Sequence, residues 1–209
     1  MSRDVIYQVK AYEDMALRTP STDTPDDITL MLRVREGDRG AFEGLYGRYH
    51  SRLQHFFFGM SRDTQTAYDL CQDTFLRVWQ LRQRYHATGS FKAYLYAIGR
   101  HIWLEHCRRL GREYRLGLRT SWEDALAAVD ADSRDPGEVA AQSELRTTLL
   151  DALEQLPDDQ RMAVVLRVIE GLTLDEIASV LQCPKNTVRS RKLLGIKKLR
   201  EAVSRLMVL

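Results

Sequence analysis

The chain has 209 residues, of which 44% are hydrophobic and 29% charged, and its net charge is only +2. That length leaves room for one large or two small domains with cores of their own, and that balance excludes wholesale disorder. No apolar run approaches the roughly 20 residues of a membrane span, and the start MSRDVIYQVK lacks a signal-peptide core.

The three cysteines, Cys71, Cys107 and Cys183, form no C-x-x-C pair, so neither a disulfide framework nor a zinc site is expected. They read as reduced, partly buried thiols of a cytoplasmic protein. His101, His106 and Cys107 lie close in sequence, but neighbours on a helix point about 100° apart, so no metal is expected there. No cofactor is expected either. The small net charge conceals segregation: Arg100, Arg108, Arg109, Arg112, Arg115 and Arg119 crowd one region, and Glu123, Asp124, Asp130, Asp132, Asp135 and Glu138 follow. Local sign governs partners more than the total does.

Residues 1–25 read as a mobile leader, with room for a short helix before Pro20 and a turn-rich TPSTDTPDD after it. From Ile28 to about Leu110 the pattern is helical almost throughout, with EGD (Glu36 to Asp38) as a break. Within it, YDLCQDTFLRVWQ (Tyr68 to Gln80) has two distinct faces. Ala67, Leu70, Cys71, Thr74, Phe75 and Val78 form an ordinary core stripe. Asp69, Gln72, Asp73, Leu76 and Gln80 group on another face, which is either plain solvent surface or a binding surface.

HATGS (His86 to Ser90) breaks the pattern, and a long helix is predicted from about Phe91 to Leu110. Phe91, Leu95, Ile98 and Ile102 supply its buried stripe, which leaves Tyr96, Arg100 and Trp103 on a face without a core to explain them. Aromatics interleaved with Lys92, Arg100, Arg108 and Arg109 suit single-stranded DNA, whose bases stack and whose backbone needs counter-charge. The break itself could hold an extruded base.

Residues 111–142 are small and acidic, with DSRDPGE (Asp132 to Glu138) as a strong breaker, and read as an interdomain linker with room for a short helix around Trp122 to Val129. A second helical block occupies 143–209, interrupted at LPDDQ, GLT and QCP. No strand-like alternation and no repeat occurs. The expected fold is all-α: a helical domain at 26–110, the acidic linker, and a second helical domain at 143–209.

That second domain carries the strongest local signal. In LTLDEIASVLQCPKNTVRSR, Thr173 and Glu176 form a capping box, Gln182 and Cys183 a short turn, and Pro184 suits the start of a second helix. This is a helix-turn-helix whose second helix presents Asn, Thr, Ser, Lys and Arg for base edges and phosphates.

GDRGAFEGLYGRYHSRL, DLCQDTFLRVWQ, GSFKAYLYAIGRHIWLEHCRR and LPDDQRMAVVLRVIEGLTLDEIASVLQCPKNTVRSR, in that order, resemble the extracytoplasmic-function (ECF) sigma factors of bacterial RNA polymerase over roughly residues 28 to 204. The resemblance implies a non-enzymatic initiation factor of stress responses that binds core RNA polymerase at its clamp coiled coil and flap, directs it to promoters and helps to melt them. Docking on core would fall to Asp69, Gln72, Asp73, Leu76, Arg77 and Gln80. Capture of the minus-ten element, partly single-stranded, would fall to Tyr85, His86, Thr88, Ser90, Lys92, Tyr96, Arg100, His101, Trp103, Arg108 and Arg109. The duplex minus-thirty-five element would be read by Lys185, Asn186, Thr187, Arg189, Ser190, Arg191 and Lys192. An anti-sigma factor is a further implied partner, and the linker would thread the RNA exit path.

The chain departs from the family pattern at Tyr94, Ala97 and His101, and most of all after VRSR. There Lys192 takes a position that is usually buried, while Leu193, Leu194 and Ile196 stand where polar residues are usual. These leucines are either core or a docking patch, and mid-helix Gly195 points to a close approach or a bend. Two rival readings remain: an autonomous helix-turn-helix regulator that binds a palindrome without polymerase, and a sigma mimic that binds a partner protein instead of DNA.

Overall fold

The computed structural model describes residues 25–115 and 148–206. The expected leader, and with it the possible helices before Pro20 and around Trp122 to Val129, lies outside the described residues, as does most of the linker. Every regular element among the described residues is helical.

Aspartates start the first helices. Asp26 caps α1 (Asp27–Arg35), accepting from the Thr29 amide at 2.6 Å. Asp38 caps α2 (Arg39–Ser61) through the Ala41 amide at 3.0 Å and is held by Arg33 at 2.7 Å. Asp63 caps α3 (Thr64–Leu81) through the Thr66 amide at 2.6 Å. In each case a side-chain oxygen satisfies an amide that the first turn leaves without a partner. The break at EGD falls where expected, with Gly37 at φ 94°, a backbone region that favours glycine.

A short turn, Arg82–Arg84, leads from α3 to the HATGS loop, and α4 spans Phe91–Arg115. It therefore runs past the expected end at Leu110. Helices α1 to α4 enclose one core, in which Leu53, Phe56, Phe57, Phe91 and Leu95 are fully buried. At Gly99 a β-carbon would stand 3.4 Å from the Phe57 ring, which is how closely α4 approaches α2.

The described part of the second domain opens with α5, residues 148–154. Pro157 precedes α6 (Asp158–Val164), whose backbone widens into a π-turn at Val165–Ile169. Then come α7 (Leu174–Leu181) and α8 (Lys185–Leu206). Gly195 marks the point where α8 presses on α6: an added β-carbon would lie 2.6 Å from a Val164 methyl. Of the two roles open to Gly195, close approach is the one realised.

The two domains touch. Helix α4 packs along α7, and α2 packs against α6 and the π-turn, with Gly59 beside Val165. This contact decides where several candidate site residues lie.

Candidate polymerase and nucleic-acid interfaces

Both faces of α3 are formed as the periodicity requires. Ala67, Leu70, Cys71, Thr74, Phe75 and Val78 are buried, and the Thr74 hydroxyl donates to the Leu70 carbonyl at 2.7 Å, which removes the cost of burying it. Asp69, Gln72, Asp73 and Gln80 are exposed around Leu76, which is 54% exposed. Arg77 is half-buried, 3.9 Å from Glu105 of α4. Asp73, Leu76, Arg77 and Gln80 line a groove of about 460 Å³ whose far wall is Glu105, His106, Arg108 and Arg109 of α4. Tyr46 and Tyr68, which no sequence signal singles out, are also exposed beside this face. An apolar centre in a polar surround is the make-up of a protein interface, and no cluster with metal-binding composition occurs among the described residues.

The candidate minus-ten residues divide. His86, Thr88 and His101 are exposed, His101 lying 3.2 Å from Glu105, and Arg108 and Arg109 are exposed at the far end of α4. Arg100 is half-buried. Tyr85 is buried edge-on against Tyr94. Tyr96 and Trp103, expected off the core, are buried as well. The correction has a physical cause: Tyr96, Gly99 and Trp103 share one side of α4 by helical spacing, and α2 of the same domain packs on that side, its Leu53 and Phe57 lying within 3.5 Å of a β-carbon built at Gly99. Tyr96 packs on Phe56, its hydroxyl turned toward the Glu170 carboxylate without a well-aligned hydrogen bond.

Polar contacts clasp the two domains over the same residues. Ser90, whose hydroxyl accepts from the Ala93 amide at the start of α4, donates to Glu176 at 2.5 Å. The Lys92 ammonium donates to the Glu170 carbonyl, and Arg52 lies 3.3 Å from the Glu170 carboxylate. Glu170 is only 1% exposed; burial pushes its carboxyl up, while Tyr96, Arg52 and Lys92 hold it down. Burial also pushes Glu176 up, but hydrogen bonds from Ser90 and Thr173 outweigh it and leave the carboxyl below its usual value. Arg62 pairs with Asp151 at 2.7 Å, and Arg161 reaches the Met60 carbonyl at 2.7 Å. No local pattern announces these partners, because each pair joins distant parts of the chain.

Lys92 gives the clasp a pH dependence. Burial, aided by Arg52, pulls its ammonium from 10.5 down to about 8 against Glu170, Glu176 and Asp27. Between those values the closed arrangement binds fewer protons than an open one would, so this contribution to closing is fully present above 10.5 and lost as pH falls through 8. Energy transfer between labels on the two domains should rise across that window in the native chain and stay flat in Lys92→Met.

The helix-turn-helix is built as expected. Thr173 accepts from the Glu176 amide at 3.2 Å, and its own amide donates to the Glu176 carboxylate at 2.8 Å. Gln182 turns the chain at φ 52°, and Pro184 immediately precedes α8, its carbonyl accepting from the amides of Thr187 and Val188. Asn186, Arg189 and Ser190 are exposed on the outward side of α8. Lys185 is exposed but pairs with Asp175 at 2.7 Å, and Thr187 and Lys192 are half-buried. Arg191 is tied down by Asp159 at 2.5 Å. Leu193 and Leu194 are 56% and 51% exposed, whereas Ile196 packs against the core.

A helix-turn-helix with a basic outward face, joined to a helical domain that exposes a leucine inside a polar rim, defines a two-domain transcription factor. Comparison with known proteins gives the same class. Residues 45–113 match the family "Sigma-70 region 2" and residues 146–199 match "Sigma-70, region 4". The RNA polymerase sigma factor CarQ of Myxococcus xanthus is 35% identical over 178 residues, 84% of this chain and 97% of the relative. The ECF RNA polymerase sigma-E factor of Escherichia coli is 30% identical over 186 residues, 85% of this chain and 92% of the relative. The fold is shared with the sigma factor RpoE of Bartonella quintana, solved with the anti-sigma factor NepR, at a TM-score of 0.66 and 23% identity over 78% of this chain and 96% of that one. The chain belongs to the extracytoplasmic-function sigma factors of RNA polymerase. Its function is that of a promoter-specific transcription initiation factor.

Proposed function

We propose that the outward face of α3 docks on the clamp coiled coil of core RNA polymerase, with Leu76 at its centre and Asp69, Gln72, Asp73, Arg77 and Gln80 around it. The observation that carries this reading is a leucine more than half exposed inside a ring of acids and amides, on a helix whose other side is fully committed to the core. The HATGS loop and α4 capture the minus-ten element, and α8 reads the duplex minus-thirty-five element. The second domain also meets the polymerase flap.

Ser90, Lys92 and Tyr96 are covered by the second domain in the closed arrangement, so capture of the non-template strand requires the domains to part. Docking on core then stabilises the open arrangement by binding it better than the closed one. The protein catalyses no reaction: melting is driven by holding unstacked bases and strand phosphates more tightly than duplex. It acts in the cytoplasm, and no described helix is long and apolar enough to cross a membrane. An anti-sigma factor is its expected antagonist, a reading supported by the relative solved with one.

Sedimentation of the purified chain with core polymerase, and separately with promoter duplex alone, tests the division of roles. A stable complex with core and weak binding to duplex alone is the expected pattern. Tight duplex binding as a dimer, with no core complex, would favour an autonomous regulator.

A further inference from the structure

The outward side of α8 holds a leucine that neither folding nor phosphate binding explains. Val188 is fully buried and Gly195 presses on Val164, so the rotation of α8 is locked from both ends of this stretch. A rotation that buried Leu193 would turn Gly195 out and drive larger side chains into Val164. On the opposite side Asn186, Ser190, Leu193 and Lys197 follow one another at spacings of four, three and four residues, a single helical stripe. Leu193, 56% exposed, sits in the middle of it.

Its surroundings select the occupant. Arg189, Lys197 and Arg200 are exposed around it, and Lys197 is held only loosely, 3.9 Å from Glu201. A polyanion complements that ring. In the major groove of unmodified DNA the apolar group on a base edge is the C5-methyl of thymine. An exposed leucine centred in a cationic, duplex-facing stripe therefore matches a methyl in the groove, where it excludes water that a polar residue would retain.

We infer that Leu193 is a specificity-determining residue that reads a thymine methyl within the minus-thirty-five element. This rests on the reading of α8 as the duplex reader. Leu193 lies one turn beyond Arg189, about 6 Å along the axis, so its thymine stands roughly two base pairs from the base that faces Arg189.

The test uses the holoenzyme and a promoter fragment recovered by start-site mapping, synthesised with deoxyuridine in place of single thymines upstream. Deoxyuridine keeps every hydrogen bond and removes only the methyl. The native holoenzyme should lose about fourfold in affinity at one thymine position, the worth of one buried methyl. Leu193→Ala should bind the thymine and deoxyuridine versions of that position equally. Leu194→Ala, whose side chain is turned about 100° to the flank, should keep the native preference. Indifference of the native holoenzyme to every deoxyuridine, or a methyl preference that survives in Leu193→Ala, overturns the inference. So does a Leu193→Ala variant that loses only an anti-sigma partner, which would assign the leucine to a protein interface. If Arg189→Ala also leaves promoter affinity unchanged, the fault lies in the reading of α8 itself.

Discussion

Arg161→Met should lower thermal stability by roughly 10 °C, reflecting about 3 to 5 kcal/mol. Arg161 is 8% exposed, and its guanidinium donates to the carbonyls of Met60 at 2.7 Å and Leu156 at 3.2 Å, and to that of Glu154. Methionine fills the volume but donates nothing, so up to three carbonyls would be left buried without a partner or reached by water through loosened packing. Met60 lies at the end of α2 and Arg161 in α6, so the same change should also part the domains and lower interdomain energy transfer. Arg161→Lys restores the charge without the planar fork and should recover only part of the loss. A melting temperature within about a degree of the native chain would mean that this arginine holds nothing.

Leu76→Glu and Asp73→Arg should each weaken binding to core polymerase by about thirtyfold or more, the effect of removing an interface anchor worth about 2 kcal/mol. Neither should change the melting temperature appreciably, because both side chains are exposed and make no contact that the fold depends on. Glu36→Gln is the control: Glu36 is exposed at the end of α1, beside Arg35 and outside the proposed docking face. Competition for core against the labelled native chain measures all three. Native affinity in both Leu76→Glu and Asp73→Arg would return this face to plain solvent.

Local physics was legible in the sequence. The two faces of α3, the breaks at Gly37 and HATGS, the Thr173–Glu176 capping box and the turn before Pro184 each depend on residues within a few positions of one another, where helical period and capping chemistry act. What was not legible depends on distant chain. Tyr96 and Trp103 look superfluous beside the stripe of Phe91, Leu95, Ile98 and Ile102, and are core because α2, distant in sequence, packs on a second side of α4. Arg161 and Glu170 carry no local sign of burial in LPDDQRMAVVLRVIEG, and are buried because partners from the first domain meet them. Leu193 and Ile196 look alike in sequence. The contact of Gly195 with Val164 decides that one faces out while the other packs inward.

Run-off transcription decides whether this chain directs RNA polymerase to promoters. Purified core polymerase is supplied with fragmented genomic DNA, with and without the chain, and the new start sites are mapped. The native chain should give discrete starts that share two upstream motifs at a fixed spacing and fade with Leu76→Glu. Tight binding to core without any new start would contradict it and leave the chain an inhibitor of the enzyme.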